Sequence, residues 1–388
     1  MAAAQVTTAG PTRRQVVITR LGWVAMAVPT LYRLVFGWAT AHGTRFDFRI
    51  YYLSLRSPSL YDFSWPDRLN RRGYPFTYPP IAAVFMTPFR WIAERPAEFL
   101  WILTSIIAAT VALYLVLREV AADHDMPTMW VPWLVAAGLW MIPVTRTVNL
   151  GQINEFVVLP IVIDLVLLRR KSRWAGIGIG FAAALKLTPL VFIPVLLFNR
   201  PLRRSGWTAL VSALAFTALA SALRWHDTVR YWTKELVATD RVGALDSRLS
   251  GAVRRFTVWI PGPSSLGTLV WLVASVALLA LVMAASRRLV ADGQLADLVV
   301  VVGVMACVIS PITWSHHMFF ALPALVITVL RFPNRWVWAL VGVAAFVFVD
   351  LERGKGPYFT GLQGLFMAAF VVSVCVQVLL DDPVGTRR

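Results

Sequence analysis

The 388-residue chain carries only two cysteines, Cys307 and Cys375, and both lie inside apolar runs. They can build no disulfide framework, and their positions have no metal-ligand spacing. Charge is scarce as well: 15% of residues are charged, where a soluble domain has about a quarter. The chain has no His-Glu-x-x-His, no Gly-x-x-x-x-Gly-Lys loop and no Gly-x-Gly-x-x-Gly fingerprint. Those absences exclude the metalloprotease, P-loop and dinucleotide-binding readings. A cleavable leader is also not expected, because Arg20 and Arg33 interrupt the first apolar run and no small-residue cleavage site follows it.

What the chain has is hydrophobicity: 58% of residues are hydrophobic and the mean hydropathy is +0.66. The apolar runs, about 15 to 23 residues each, are long enough for helices to cross a ~30 Å hydrocarbon core. The fold class expected is therefore an all-α polytopic membrane protein with about 10 to 13 transmembrane or re-entrant helices. Its net charge of +17 comes in short clusters between apolar runs. This is the positive-inside pattern, with some attraction to anionic head groups, and not a nucleic-acid footprint.

The clusters orient the chain. Arg13 and Arg14 place the N-terminus in the cytoplasm, and Arg169-Arg170-Lys171-Ser172-Arg173 must also be cytoplasmic. One span earlier, the stretch from Arg146 to Asn154 is then outside. Between 174 and 199, two short apolar pieces flank Lys186-Leu-Thr-Pro189, with basic clusters at both ends. This predicts a hairpin that does not fully cross, and a lysine at such a depth is a functional candidate. The stretch 76–118 must cross an odd number of times, so 78–93 is expected to enter only part way. Organisation is expected as one membrane domain over 1–388, with a basic tail (1–15), a first outer loop (40–75) and a long outer loop (225–265). Four of the five histidines (His42, His226, His316, His317) fall on the outer face with Asp47, which points to a one-sided active site.

Asp47 is the first carboxylate of the chain and sits in Phe46-Asp47-Phe48-Arg49-Ile50-Tyr51-Tyr52. Aromatic neighbours would raise its pKa, and Arg45 and Arg49 would lower it. A poorly solvated but ionised carboxylate suits a general base, whereas the plainer reading is an interfacial Asp paired with Arg. His316, His317, Arg146, Arg254 and Arg255 are candidate phosphate donors, as is Lys186. Tyr74, Phe76, Tyr78, Trp225, Trp232 and Trp259 are candidates to stack on sugar rings, or else interfacial anchors.

Several segments in order resemble glycosyltransferase family 87, whose members are polyprenol-phosphate-mannose-dependent enzymes of GT-C architecture. They are Asp47-Phe-Arg-Ile-Tyr51, Ser59-Leu-Tyr-Asp62, Phe76-Thr-Tyr-Pro-Pro80, Asn149-Leu-Gly-Gln-Ile-Asn154, Gly176 to Pro189, and Ser310-Pro-Ile-Thr-Trp-Ser-His-His317. Within the family the chain is most similar to the mycobacterial enzymes that add α-1,2-linked mannose to phosphatidylinositol mannosides. It departs where the family often has Asn-Gln-Ser before Leu-x-Gly: here the chain reads Asp246-Ser-Arg-Leu-Ser-Gly251. It also lacks the glycine usual before Leu-Tyr-Asp in the first outer loop.

The resemblance implies a multi-pass protein of the cytoplasmic membrane with its active site on the outer face. The donor would be polyprenyl-phosphate mannose and the acceptor a mannosylated phosphatidylinositol or lipoglycan. Asp47 would be the base; Lys186, His316, His317, Arg146, Arg254 and Arg255 would meet the donor phosphate. Tyr51, Tyr78, Asn149, Gln152, Asn154 and Trp314 would bind sugar or acceptor. No cofactor and no metal is expected, although Asp47 with Asp62 or Asp246 could hold one. The chain is expected to act as a monomer and to bind no nucleic acid. The rival readings are transfer of another polyprenol-linked sugar such as arabinofuranose, a transporter or lipid flippase, and a non-catalytic scaffold.

Overall fold

The computed structural model describes residues 12–39, 45–65, 74–236, 264–311, 313–348 and 357–381. Its helices begin with α1 (Arg13–Ala39), α2 (Phe46–Ser54), α3 (Pro80–Met86), α4 (Glu94–Asp123), α5 (Val131–Trp140) and α6 (Ile142–Leu150). There follow α7 (Asn154–Arg169), α8 (Ile177–Leu185), α9 (Phe192–Phe198), α10 (Arg203–Leu223) and α11 (Trp225–Arg230). The last are α12 (Ser264–Ala291), α13 (Leu295–Ile309), α14 (Ala321–Arg331), α15 (Arg335–Phe348) and α16 (Pro357–Leu380). Strand structure among the described residues is a two-residue antiparallel pair, Ser64↔Pro75 and Trp65↔Tyr74. The chain is an all-α polytopic membrane protein, as its composition demands.

Four stretches of described helix are long and apolar enough to cross a bilayer: 94–123, 200–223, 266–291 and 362–380. The first of these, α4, is 30 residues long, or roughly 45 Å at 1.5 Å per residue. Its one proline, Pro96, sits in the first turn, where a missing N–H costs nothing. At one end Glu94 meets α2 through Arg49 (2.8 Å). At the other, Asp123 and Glu119 pair with Arg169 of α7. Nearby, the fully buried Asp297 of α13 takes His124 (2.9 Å) and Arg331 of α14 (2.6 Å). These ion pairs and the His124 hydrogen bond tie α4, α7, α13 and α14 together at what we call the basic end. Breaking one partner of such a buried set costs about 3–5 kcal/mol.

The segment before α4 does not cross. After α3 come a 3-10 turn at Thr87–Trp91 and Ile92, whose carbonyl accepts bonds from the Tyr52 hydroxyl (2.8 Å) and Arg56 (3.3 Å). The chain thus returns to the foot of α2, and within 76–118 the helix long and apolar enough to cross is α4.

The hairpin is present too. α8 has 9 residues and α9 has 7, about 13 and 10 Å, too short to span. Gly176, before α8, lies against Ser205 and Ala209, while Leu197, near the end of α9, lies against Gly206. Both feet therefore rest on the first turns of α10. Asp164 of α7 accepts the Ile179 N–H (2.7 Å), which satisfies one of the unpaired donors in the first turn of α8. The tip, Lys186–Pro189, points toward the start of α7.

Candidate active site

The helical period of α2 sorts its side chains before any long-range contact is considered. Arg45 and Arg49 share one face and Asp47 and Tyr51 share the other, because residues four apart stack on a helix. The arginine face meets α4: Arg45 lies 3.7 Å from Glu98 and Arg49 2.8 Å from Glu94. Phe48, fully buried, packs on Trp101 with ring centroids 5.9 Å apart. Asp47 is left facing the other way, toward the turn after α6.

That turn is set by Gly151. Its φ of +71° favours glycine, and a Cβ there would lie 2.6 Å from the Cβ of Phe48. Trp101 Nε1 donates to the Gly151 carbonyl at 2.9 Å and fixes the peptide. The next residue, Gln152, then meets α2. Its Oε1 accepts the hydroxyls of Tyr51 (3.1 Å) and Tyr78 (2.8 Å). With that oxygen taken, the amide nitrogen is the end that hydrogen-bonds the Asp47 carboxylate.

Two residues on, Asn154 opens α7 and joins two further segments. Its Oδ1 accepts the Lys186 ammonium at 2.9 Å, and its Nδ2 donates to the His316 carbonyl at 3.0 Å. The Thr147 hydroxyl also lies 3.1 Å from that carbonyl. The His turn is ordered within itself: His317 Nδ1 accepts the Trp314 N–H (3.3 Å), and His316 stacks on the Trp314 ring. A ring that accepts at Nδ1 carries its proton on Nε2 when neutral. The Nε2 of His316 is buried with no protein partner. A small cavity of about 50 Å³ is lined by Asn154, Lys186 and His317 together with Val157, Ile161 and Phe192.

Burial pushes the Asp47 carboxyl up to about 6, against the Gln152 hydrogen bond and the Lys186 charge, which pull it down. The expected lowering by Arg45 and Arg49 is absent, since Glu98 and Glu94 take both arginines. α2 lies beyond the end of α1, outside the spanning helices. Asp47 and Lys186 feel each other's charge, yet they form no direct ion pair.

Of the residues singled out in sequence, Asp47, Tyr51, Tyr78, Gln152, Asn154, Lys186, Trp314, His316 and His317 come together here. Arg146 is exposed, and its charge is felt at His316. Asn149 is exposed, and its backbone carbonyl receives Arg45 (3.4 Å). Arg254, Arg255, Asp246, Trp259 and His42 lie outside the described residues. Asp62 does not face Asp47: it pairs with Arg230. Phe76 is core and not a sugar platform, wedged between Tyr51 and Tyr61 (5.9 Å each). Among the described residues no three His, Cys, Asp or Glu side chains are grouped to hold a metal.

Sequence reading missed Glu155, fully buried beside Thr147 and facing the charges of Arg33 and Lys186. An acid opening an apolar span was the available signal. It also missed Tyr61, whose hydroxyl donates to the Tyr78 carbonyl at 2.8 Å.

The comparisons with known proteins meet this geometry. The family model for glycosyltransferase family 87 matches residues 76–311, which include Tyr78, Gln152, Asn154 and Lys186 but neither Asp47 nor the two histidines. A polyprenol-phosphate-mannose-dependent alpha-(1-2)-phosphatidylinositol mannoside mannosyltransferase of Mycobacterium tuberculosis is 34% identical over 306 residues, 74% of this chain and 69% of that protein. A protein described in the same words from Mycolicibacterium smegmatis is 34% identical over 299 residues, 70% of this chain and 66% of that one. A pentamannoside mannosyltransferase of M. smegmatis is 28% identical over 319 residues, covering 79% and 75%. No solved structure matches the chain. With the family model spanning more than half of its length and such relatives covering most of it, this chain belongs to glycosyltransferase family 87.

Proposed function

We propose that the chain is an inverting mannosyltransferase that moves mannose from polyprenyl-phosphate mannose to a mannosylated phosphatidylinositol or related lipoglycan, forming an α-1,2 linkage. Donor and linkage follow those of the mycobacterial relatives. The observation that carries the chemistry is the gap between Asp47 and Lys186: opposite charges, each held by a neutral amide, facing each other without closing into an ion pair.

A substrate in that gap would meet a base on one side and cations on the other. Asp47 takes the proton of an acceptor hydroxyl, whose oxygen attacks the anomeric carbon as the carbon–phosphate oxygen bond breaks. Polyprenyl phosphate leaves with the electron pair and needs no general acid. Its charge is met by the Lys186 ammonium and by imidazole N–H groups of His316 and His317, fixed in place before the reaction. Arg146 adds a positive field from the rim. Tyr51 and Tyr78 hold Gln152 and thereby Asp47, and on this reading the exposed Asn149 and the ring of Trp314 meet sugar. The reaction needs no cofactor or metal.

The site end would face the outside of the cytoplasmic membrane, because the opposite end carries Arg169-Arg170-Lys171. The test is purified protein in lipid with synthetic polyprenyl-phosphate mannose and a panel of mannosylated phosphatidylinositols. Transfer by wild type, lost in Asp47→Asn with donor binding retained, is the expected result. Undiminished transfer by Asp47→Asn would remove Asp47 as the base, and no transfer to any acceptor would remove the enzyme reading.

A further inference from the structure

Away from the Asp47 cluster a second, larger groove, about 670 Å³, opens between the segment after α3 and the junction of α10 with α11. Trp91 and Trp225 stand on its two sides with 76% and 63% of their surface exposed. Two large aromatic side chains left in the open flank one concave surface, at the level where a spanning helix ends. Tryptophans favour that depth.

The floor is built and not incidental. Asp227 accepts the Ser59 hydroxyl (2.7 Å) and the Leu60 N–H (3.1 Å) on one oxygen and Arg224 (3.1 Å) on the other. Asp227 thus ties α11 to the first loop and holds Arg224 at the groove. The guanidinium has five N–H groups, and the Nη1 end faces Asp227, so others remain for a ligand. His226 lines the same wall and is exposed. Below, the outward face of α10 is apolar and uncovered at Val211, Leu214 and Leu223 (62%, 62% and 61% exposed).

Acyl chains along α10, an anionic phosphodiester at Arg224 and His226, and sugar between two tryptophans describe one kind of molecule. We propose that this groove binds the phosphodiester and first sugars of an anionic glycolipid, the anchor end of the acceptor. The proposal rests on the transferase reading for the word acceptor and on the groove itself for the ligand class. A buried layer of Tyr61, Phe76 and Tyr78 separates the groove from Asp47. A hydroxyl that reaches Asp47 while its phosphate occupies the groove therefore belongs to a sugar beyond that layer and not to the one next to the phosphate. The groove acts as a ruler that selects acceptors already carrying a short oligosaccharide.

The test uses the full chain in lipid vesicles. Trp91→Ala with Trp225→Ala should raise KM for a mannosylated phosphatidylinositol about tenfold, or about 1.4 kcal/mol. The kcat, the KM for polyprenyl-phosphate mannose and the KM for an anchor-free disaccharide, which lacks the phosphodiester and the sugars next to it, should stay unchanged, and Trp225→Phe should restore part of the loss. An unchanged KM for the anchored acceptor, or an equal rise for the anchor-free one, overturns the proposal. Binding is read separately on the Asp47→Asn protein with a photoreactive mannosylated phosphatidylinositol. Label should map to the peptide holding residues 224–226 and be displaced by the unlabelled glycolipid at a lower concentration than by plain phosphatidylinositol, which shares the phosphodiester but lacks the sugars. Label elsewhere, or equal displacement by plain phosphatidylinositol, overturns it. Label at 224–226 together with no transfer by the wild-type protein would sink the transferase reading and leave the glycolipid groove standing.

Discussion

Replacing Asp47 by Asn should make the protein both inactive and more stable, and the two effects have one cause. The carboxyl is raised from 3.8 to about 6 chiefly by burial, so the folded state resists its ionisation. A rise of that size corresponds to about 3 kcal/mol, an upper bound because Asp47 is only half-buried by surface area. The folded form binds the proton more tightly than the unfolded chain. Stability from this group is therefore complete below about pH 4, drains as pH rises through about 6, and is absent at about pH 7.5. Asn keeps the shape and the hydrogen bond to Gln152 without the charge. Thermal unfolding should show Asp47→Asn melting above wild type at about pH 7.5, with the gap closing as pH falls toward 4. Transfer should drop about 10²- to 10⁴-fold, the usual contribution of a positioned base. Wild-type kcat/KM should fall tenfold per pH unit below about 6. Equal melting at both pH values, or a rate with no acid limb near 6, would refute the reasoning.

Gln152→Glu places a second carboxylate against Asp47, and the acid limb should move up by more than one pH unit; an unmoved limb means that Gln152 does not hold the base. Lys186→Met should lower kcat by about 10²- to 10³-fold, and weak donor binding alone, with kcat intact, would assign Lys186 to recognition only. Gly151→Ala forces a Cβ to within 2.6 Å of Phe48 and adds positive-φ strain, so it should cost about 1–3 kcal/mol and reduce activity; a wild-type melting temperature would show that the turn is not tight. Transfer should survive chelator, and its loss with recovery on adding a divalent cation would bring a metal into the site.

Much of the fold was legible because membrane spans announce themselves in one dimension. Runs of apolar residues bounded by arginine clusters located α7, α10 and α12, and the two short pieces around Lys186 exposed the hairpin. The face of Asp47 was legible from its spacing to Tyr51. What sequence could not give were pairings across the chain. Arg45 and Arg49 sit beside Asp47 in sequence but belong to Glu98 and Glu94, some fifty residues away, so desolvation governs the carboxyl. Phe76 reads as an exposed aromatic until Tyr51 and Tyr61 close over it. Gly151 looks like an ordinary turn glycine, and its necessity depends on Phe48 and Trp101, neither of them a sequence neighbour.

The hairpin has a consequence for how the protein is made. Neither of its arms is long enough to be taken up as a span on its own, and its lysine would oppose insertion if threaded alone. Its seat on α7 and α10 must exist before Lys186 has a partner in Asn154. Assembly of the membrane helices and completion of the site are then separate events, in that order. A variant that weakens the contact of α8 with α10 could reach the membrane with every long helix in place and every loop on its proper side, and still lack the ammonium that faces Asp47.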